Sequence, residues 1–369
     1  MPTAHLIQFL YSLAVVGPVI IVPLLASSLG ASPATVGLVV ATYQATLFGS
    51  SALFGRLADL RGHRRLILIG LLAAAGVQAI HVVARDLMTL LVVRALAGIA
   101  FGIFPAAVLA YATRENHNLG RFASLGALGW AVGSSLAGVL AVFNRVFLVS
   151  AGIYLASFLI ALFFLRETHE RLRQPFFDAA LIRRNWRVYL SFFLRHAGAM
   201  GIWTIFPLYL SQLGANRFWI GVIYGLNSFG QFILMPLLSR WRSTRLIQMG
   251  LYASIITFLG FALCHNYRQI IPLQVLLAFA WSALYVGSLQ YLIETNPERA
   301  SVAGIFNSTL SLAGIVGALV GGAVASFGLP AVMLNAAVMA VLGALVFRFR
   351  EPDGKNTSQA LTTDKQRVQ

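Results

Sequence analysis

Long apolar runs, separated by short polar connections, limit what this chain can fold into. A helix needs about 20 residues to cross ~30 Å of hydrocarbon. Twelve runs approach that length, at approximately 5–29, 33–55, 65–84, 86–111, 120–142, 145–165, 187–211, 217–239, 244–264, 268–292, 299–325 and 328–348. Because backbone groups in lipid must be satisfied within the segment, these runs predict membrane-spanning helices.

The composition agrees with an all-α integral membrane protein. Of 369 residues, 59% are hydrophobic and 10% are charged, whereas a soluble domain is about a quarter charged. The single cysteine, Cys264, excludes an internal disulfide. Such a chain has too little polar surface to remain in water, so we expect it in a bilayer.

Basic residues are distributed unevenly between the connections. The chain has 27 Lys and Arg against 11 Asp and Glu, a net charge of +16. On one side of the predicted membrane the connections hold only Arg85, Arg145, Arg217 and Arg268, and nearly all other basic residues lie on the other side. This asymmetry predicts an even number of spans, a multi-pass protein of the plasma (inner) membrane, and both termini in the cytoplasm. Membrane orientation therefore explains the positive charge, and we expect no nucleic-acid partner.

The two halves of the sequence repeat each other at an offset of 184 residues. Ile21–Leu24 matches Ile205–Leu208, and Leu29–Ala31 matches Leu213–Ala215. We therefore predict an N-terminal six-helix half (1–165), a cytoplasmic linker (166–186), a C-terminal six-helix half (187–350) and a disordered cytoplasmic tail (351–369). Part of the linker is amphipathic and is expected on the inner membrane surface, with Phe176, Phe177, Leu181 and Ile182 as its apolar residues.

One charged stretch, Gly55–Arg65, joins the second and third runs. Its pattern G-x-L-x-D-x-x-G-x-R-R resembles the loop signature of the major facilitator superfamily of transporters. A second copy is degraded, with Ser243 in the place of Asp59. In detail the chain resembles short prokaryotic drug- and sugar-efflux members. The resemblance implies twelve transmembrane helices in two pseudo-symmetric halves, with helices 1, 4, 7 and 10 around a central cavity.

The same resemblance implies a cytoplasmic gate. Asp59 would cap the start of helix 11, where the helix dipole favours a negative charge. The alternative is an ordinary solvated charge at the membrane boundary. The predicted gate residues are Gly55, Asp59, Gly62, Arg64, Arg65, Arg114 and Glu115.

Two arginines, Arg94 and Arg195, lie within the apolar runs and predict a substrate site. A charge at that depth should face a cavity and have a partner, yet every acidic residue lies at a segment end, in a connection or in the tail. The alternatives are snorkelling for Arg94, an interfacial belt for Trp and Tyr, and interhelical hydrogen bonds for the amides. The predicted substrate-binding residues are Arg94, Arg195, His196, Tyr43, Gln44, Trp203, Asn227, Gln231, Trp281 and Asn307.

These features favour a monomeric secondary active transporter that exports a small amphiphilic compound. Uptake or exchange of a sugar or organic anion is the alternative, followed by a non-transporting receptor. The sequence has no P-loop for ATP, and it shows neither paired acids nor a metal-binding cluster at membrane depth, so we expect no enzyme activity, cofactor or metal. The expected partners are the substrate, the bilayer and a coupling proton or ion, for which His196, His5 or His81 could titrate.

Overall fold

The computed structural model describes residues 3–114, 119–166, 179–296 and 298–348, and these residues are almost entirely helical. In chain order the helices are α1 (Thr3–Ser28), α2 (Pro33–Arg61), α3 (His63–Ile80), α4 (Leu87–Gly102), α5 (Pro105–Arg114), α6 (Leu119–Leu140), α7 (Phe143–Phe164), α8 (Ala179–Gln212), α9 (Arg217–Leu238), α10 (Ser243–Ala262), α11 (Tyr267–Thr295), α12 (Arg299–Val324) and α13 (Leu329–Phe347).

Length and apolarity confirm a membrane protein. In the described residues ten segments are long and apolar enough to cross a bilayer, and α4 and α5 together form one of them. The shorter apolar part of α6, Ser124–Leu140, and the long helix α8 complete twelve spans. Large apolar side chains such as Phe163, Phe164 and Phe327 project from the outside of the bundle, as lipid contact requires.

Two helix boundaries differ from the sequence prediction. The run 86–111 is broken at Ile103 and Phe104, because Pro105 has no N–H to continue the hydrogen bonds of α4 and instead starts α5. Helix α8 begins at Ala179 and not near 187. Leu181, expected on the membrane surface, is buried against Val188 and Val302, so this turn packs into the C-terminal half.

The helices of the two halves pair in the same way. In the first half α1 packs against α6 and α7, and α2 packs against α4. In the second half α8 packs against α12 and α13, and α9 packs against α11. These are equivalent pairs under the 184-residue offset, so the sequence repeat corresponds to a structural repeat.

The first helix of each half ends in the same turn. Gly30 has a φ of 85° and Gly214 a φ of 86°, in the left-handed region that glycine adopts without steric cost. The amide of Ala31 donates to Ala26 O at 3.0 Å, and the amide of Ala215 donates to Leu210 O at 2.9 Å. We call the end of the bundle that carries these turns the glycine face. The other end, with Arg64, Arg65, Arg240, Arg242 and Arg245, is the basic face.

Two seams join the halves near the glycine face, one between α2 and α12 and one between α6 and α9. A methyl group placed on Gly37 would lie 2.8 Å from Gly322 Cα, and one placed on Gly221 would lie 2.7 Å from Gly138 Cα. Gly37 and Gly221 are equivalent under the offset, as are Gly138 and Gly322. The backbones of the two halves therefore meet at two places, and these two contacts are equivalent under the 184-residue offset.

Candidate substrate site and gate

The predicted gate lies at the basic face, and the structure describes part of it. Arg64 donates from Nε to Leu165 O and from Nη2 to Leu162 O, both at 2.8 Å, so it holds the end of α7 in its own half. Gly62 has a φ of 94° between α2 and α3. Gly55 is partly buried and Arg65 is exposed. The side chains of Asp59 and Arg114, and Glu115 as a whole, lie outside the described residues.

The contact between α2 and α12 reaches the middle of the bundle. Gln44 Nε2 would lie 2.9 Å from a methyl group placed on Gly314, so this amide touches the opposite half. Nearer the basic face, a methyl group on Gly304 of α12 would meet no described atom within 4 Å. The two halves are therefore in contact from the glycine face to about Gln44, whereas Gly304 of α12 has no neighbour among the described residues at that distance.

Arg94 is buried in the first half. Its side chain is 3% exposed, and its Cζ lies 4.0 Å from the ring centroid of Tyr43. Gly98, one turn along α4, lets the Tyr43 backbone approach, because a methyl group there would lie 2.4 Å from Tyr43 O. Arg94 Nε has no hydrogen-bond partner among the described residues. The ring of Tyr43 thus supplies a cation–π contact in place of an acid.

Arg195 is buried in the second half and is separated from Arg94. It is 1% exposed, and its Nε donates to Ser254 Oγ at 2.7 Å. The ring of His196 stacks on that of Trp281, with 4.9 Å between centroids. Trp281 therefore lies in an interior cluster and does not form part of an interfacial belt.

The predicted amides have different surroundings. Asn227 Nδ2 donates to Gln274 O at 3.3 Å, which links α9 to α11, and Gln231 Nε2 donates to Asn227 Oδ1 at 2.6 Å. Asn307 is exposed. Trp203 packs on Tyr224, with 4.8 Å between ring centroids. The bond of Asn227 is of the interhelical kind raised as an alternative by the sequence, whereas that of Gln231 lies within α9.

Several residues of the interior escaped the sequence analysis. Ser254 is fully buried and accepts from Arg195, and the side-chain amide of Gln274 is buried with no partner among the described residues. A serine in an apolar run carries no distinctive signal, whereas Gln274 could have been noticed as the single amide between Ile270 and Leu289 of span 10. Phe192 and Phe306, 4.4 Å apart between ring centroids, look like ordinary core residues in the sequence.

A pseudo-symmetric bundle of twelve membrane-spanning helices, with polar and aromatic side chains held inside it, defines a multi-pass membrane transporter for small molecules. Such a fold works by alternating access between two halves. The chain belongs to the Major Facilitator Superfamily, whose family model matches residues 4–267 and 188–367. The predicted family and the predicted twelve-helix fold are thereby confirmed.

Relatives and solved structures agree with this family. Multidrug resistance protein MdtG of Salmonella arizonae is 25% identical over 324 residues, which are 80% of this chain and 80% of that protein. MdtG of Citrobacter koseri is 26% identical over 326 residues, with the same two shares. The nucleoside transporter NupG has a TM-score of 0.76 at 13% identity, covering 94% of this chain and 99% of that chain.

A bacterial homolog of the human lysosomal transporter Spinster, in an inward-facing and unoccupied conformation, has a TM-score of 0.73 at 15% identity. That match covers 94% of this chain and 95% of the Spinster homolog. At these identities the two structural likenesses show the fold alone.

Proposed function

We propose that this protein is a secondary active transporter that exports a small amphiphilic compound, with both termini in the cytoplasm. The observation that carries the proposal is the one-sided closure of the bundle. Both seams hold the halves together near the glycine face, whereas a methyl group on Gly304 of α12, toward the basic face, would meet no described atom within 4 Å. Contact between the halves at one end of the bundle and not at the other is the asymmetry that alternating access requires.

The basic face is assigned to the cytoplasm, because Lys and Arg are enriched in cytoplasmic connections. The described conformation is then inward-open. In the outward-open state the ends of α2 and α12 at the basic face would come together, and Asp59 would meet the positive end of the α12 dipole. We therefore assign Asp59 to the gate, together with Gly55, Gly62, Arg64, Arg65, Arg114 and Glu115.

Export is supported by similarity to the two multidrug resistance proteins. Uptake or exchange of a sugar or organic anion remains the second candidate, because two buried arginines without carboxylate partners suit a neutral or anionic substrate. Coupling to a proton would have to use a histidine, because arginine does not release its proton in proteins and no acidic residue lies at depth.

Efflux of Nile red, a neutral amphiphile, from bacterial cells that lack their own pumps tests the proposal. We expect expression of the protein to accelerate loss of the dye several-fold, and Asp59→Asn to remove most of that gain at equal expression. Asp86→Asn is the matched control, because it changes another acid at a membrane boundary and keeps a residue suited to capping. Unchanged dye loss, combined with faster entry of a labelled sugar, would favour the uptake alternative.

A further inference from the structure

The second half contains a buried cation under a layer of partly exposed rings. We call Phe192, Arg195, His196 and Trp281 the Arg195 cluster. Arg195 and Phe192 are fully buried, whereas the rings of His196 and Trp281 are partly exposed. Arg195 Cζ lies 5.5 Å from the ring centroid of Trp281, and Trp281 stacks with His196. The cluster thus has a charged inner layer and an aromatic outer layer.

Most of the hydrogen-bonding capacity of Arg195 is unused. The guanidinium carries five N–H donors, and within the described residues Nε donates a hydrogen bond to Ser254 Oγ at 2.7 Å. Ser254 donates its own proton to Gly250 O at 2.6 Å, which fixes its oxygen as the acceptor for Arg195. Nη2 is buried with no partner among the described residues.

The described residues supply no counterion for this arginine. The sequence has no Asp or Glu between Asp178 and Glu294, so the spans of α8, α9 and α10 are free of acids. Glu294, near the end of α11, accepts instead from Ser243 Oγ at 3.1 Å and from Gln290 Nε2 at 2.8 Å. The rings of Phe258 and Trp281 offer cation–π contacts, which are weaker than an ion pair in a dry site.

A charge buried without a counterion is costly in lipid, and such residues usually mark a substrate pathway. An anion brought by a ligand would supply the missing partner, with the planar fork of Arg195 able to bind both oxygens of a carboxylate. The flat rings of Trp281 and His196 would accept an aromatic body by stacking. The Arg195 cluster therefore offers a partner for the anionic group and a stacking surface for the aromatic body of a single ligand.

We propose that the Arg195 cluster binds an organic anion in which a carboxylate is attached directly to an aromatic ring system. The carboxylate pairs with Arg195, and the ring system lies against Trp281 and His196. This inference rests on the proposed transport function, since it names the class of substrate. The competing explanation is purely structural, with Arg195 serving to fasten α8 to α10 through Ser254.

Equilibrium binding to the full-length protein in lipid nanodiscs separates these explanations. The probes are tritium-labelled 2-naphthoate and 2-naphthamide, which share the ring system and differ in charge. We expect the wild-type protein to bind the carboxylate about tenfold more tightly than the amide, because a hydrogen bond to a charged group contributes more than a neutral one. Arg195→Gln should remove that preference, and Arg195→Lys should retain part of it.

Arg268→Gln is the matched control, because it removes an exposed arginine of the glycine face and should change naphthoate affinity less than about threefold. Trp281→Leu should weaken both probes, because it removes the stacking surface. Naphthoate and naphthamide binding equally to the wild-type protein would overturn the proposal, and this comparison does not depend on any variant folding. Full preference for the anion in a folded Arg195→Gln protein would overturn it as well.

Together, the dye experiment and the binding experiment distinguish a failure of the proposed export function from a failure of the proposed anion site. If Nile red is exported but naphthoate does not bind in preference to naphthamide, the transporter assignment stands and the anion site is wrong. If naphthoate binds through Arg195 but neither Nile red nor naphthoate crosses the membrane of proteoliposomes, the site stands and the export function is wrong.

Discussion

At the scale of single residues, two of the polar side chains that begin helices at the glycine face can be compared. Asp86 accepts from the amide of Thr89 at 2.9 Å and from its hydroxyl at 2.6 Å, which caps α4. Asn266 caps α11 by accepting from the amide of Arg268 at 2.9 Å. Both satisfy amides that the first turn of a helix leaves unpaired. The two caps differ in charge, and this difference gives them different pH dependence.

Asn266→Ala should lower the free energy of unfolding by about 1 kcal/mol at any pH, whereas the effect of Asp86→Ala should depend on pH. Hydrogen bonds from the side chain and the amide of Thr89 hold the pKa of Asp86 below its usual 3.8. Its contribution to stability is therefore complete above that value and is lost as the pH falls through the lowered pKa. Unfolding in detergent at pH 7 and at pH 3 measures this. Equal losses for Asp86→Ala at both pH values would contradict the assignment.

The sequence located the buried charges but not their surroundings. Arg94 and Arg195 stand out because a charge within an apolar run is costly. Their contacts, Tyr43 for Arg94 and Ser254 for Arg195, come from other helices, and their approach depends on how those helices are rotated. No local pattern in the chain contains that information. For the same reason the contact of Asn227 with Gln274 O, which links α9 to α11, could not be predicted.

At the scale of helices, the seam between α6 and α9 depends on the absence of side chains. A methyl group on Gly221 would lie 2.5 Å from Ser134 O, and backbone cannot move aside as a flexible side chain can. We expect Gly221→Val to separate α6 from α9 at the glycine face and to shift the population toward the outward-open state. Spin-label distances between the ends of α6 and α9 would measure the shift.

Gly152→Val in α7 is the control for this substitution, because a methyl group there would meet no described atom within 4 Å, while the change in helix propensity from glycine to valine is the same. If the spin-label distances between α6 and α9 are distributed in the Gly221→Val protein as they are in the Gly152→Val control, the seam does not restrict the movement of the halves.

Helix positions followed closely from the length of the apolar runs, and the errors fell where apolarity gives no information. Pro105 lies within a continuous apolar run, so hydropathy could not reveal that α4 ends before it. The charged turn before Arg187 was assigned to the linker, because arginines there favour water. Helical continuity and the burial of Leu181 instead extend α8 back to Ala179.

At the scale of the whole molecule, the membrane orientation can be tested with single cysteines. Cys264 is replaced by Ser first, and cysteine is then introduced at Arg65 of the basic face or at Arg268 of the glycine face. Both native side chains are exposed. We expect an impermeant maleimide added to intact cells to label Arg268→Cys and to leave Arg65→Cys unlabelled until the cells are opened. Labelling of both, or of Arg65→Cys alone, would contradict a cytoplasmic basic face.

The overall architecture was predictable because it repeats. Matches such as Leu29–Ala31 with Leu213–Ala215 preserve the turn chemistry that ends a helix, and the spacing of the runs sets the number of spans. The closed end of the bundle was not predictable. Either face can close in a protein that alternates between two states, and the energetic difference between those states lies in many small contacts.

The symmetry of the two seams bears on how such a chain could have arisen. Gly37 against Gly322 and Gly221 against Gly138 are one contact related by a two-fold axis, which is the arrangement of an isologous interface between identical subunits. A six-helix chain able to make this contact with a second copy of itself would close the same bundle. Duplication and fusion of a gene for such a homodimer would leave the seams unchanged. Each copy would then be free to diverge, and this chain carries Asp59 in one copy of the loop and Ser243 in the other.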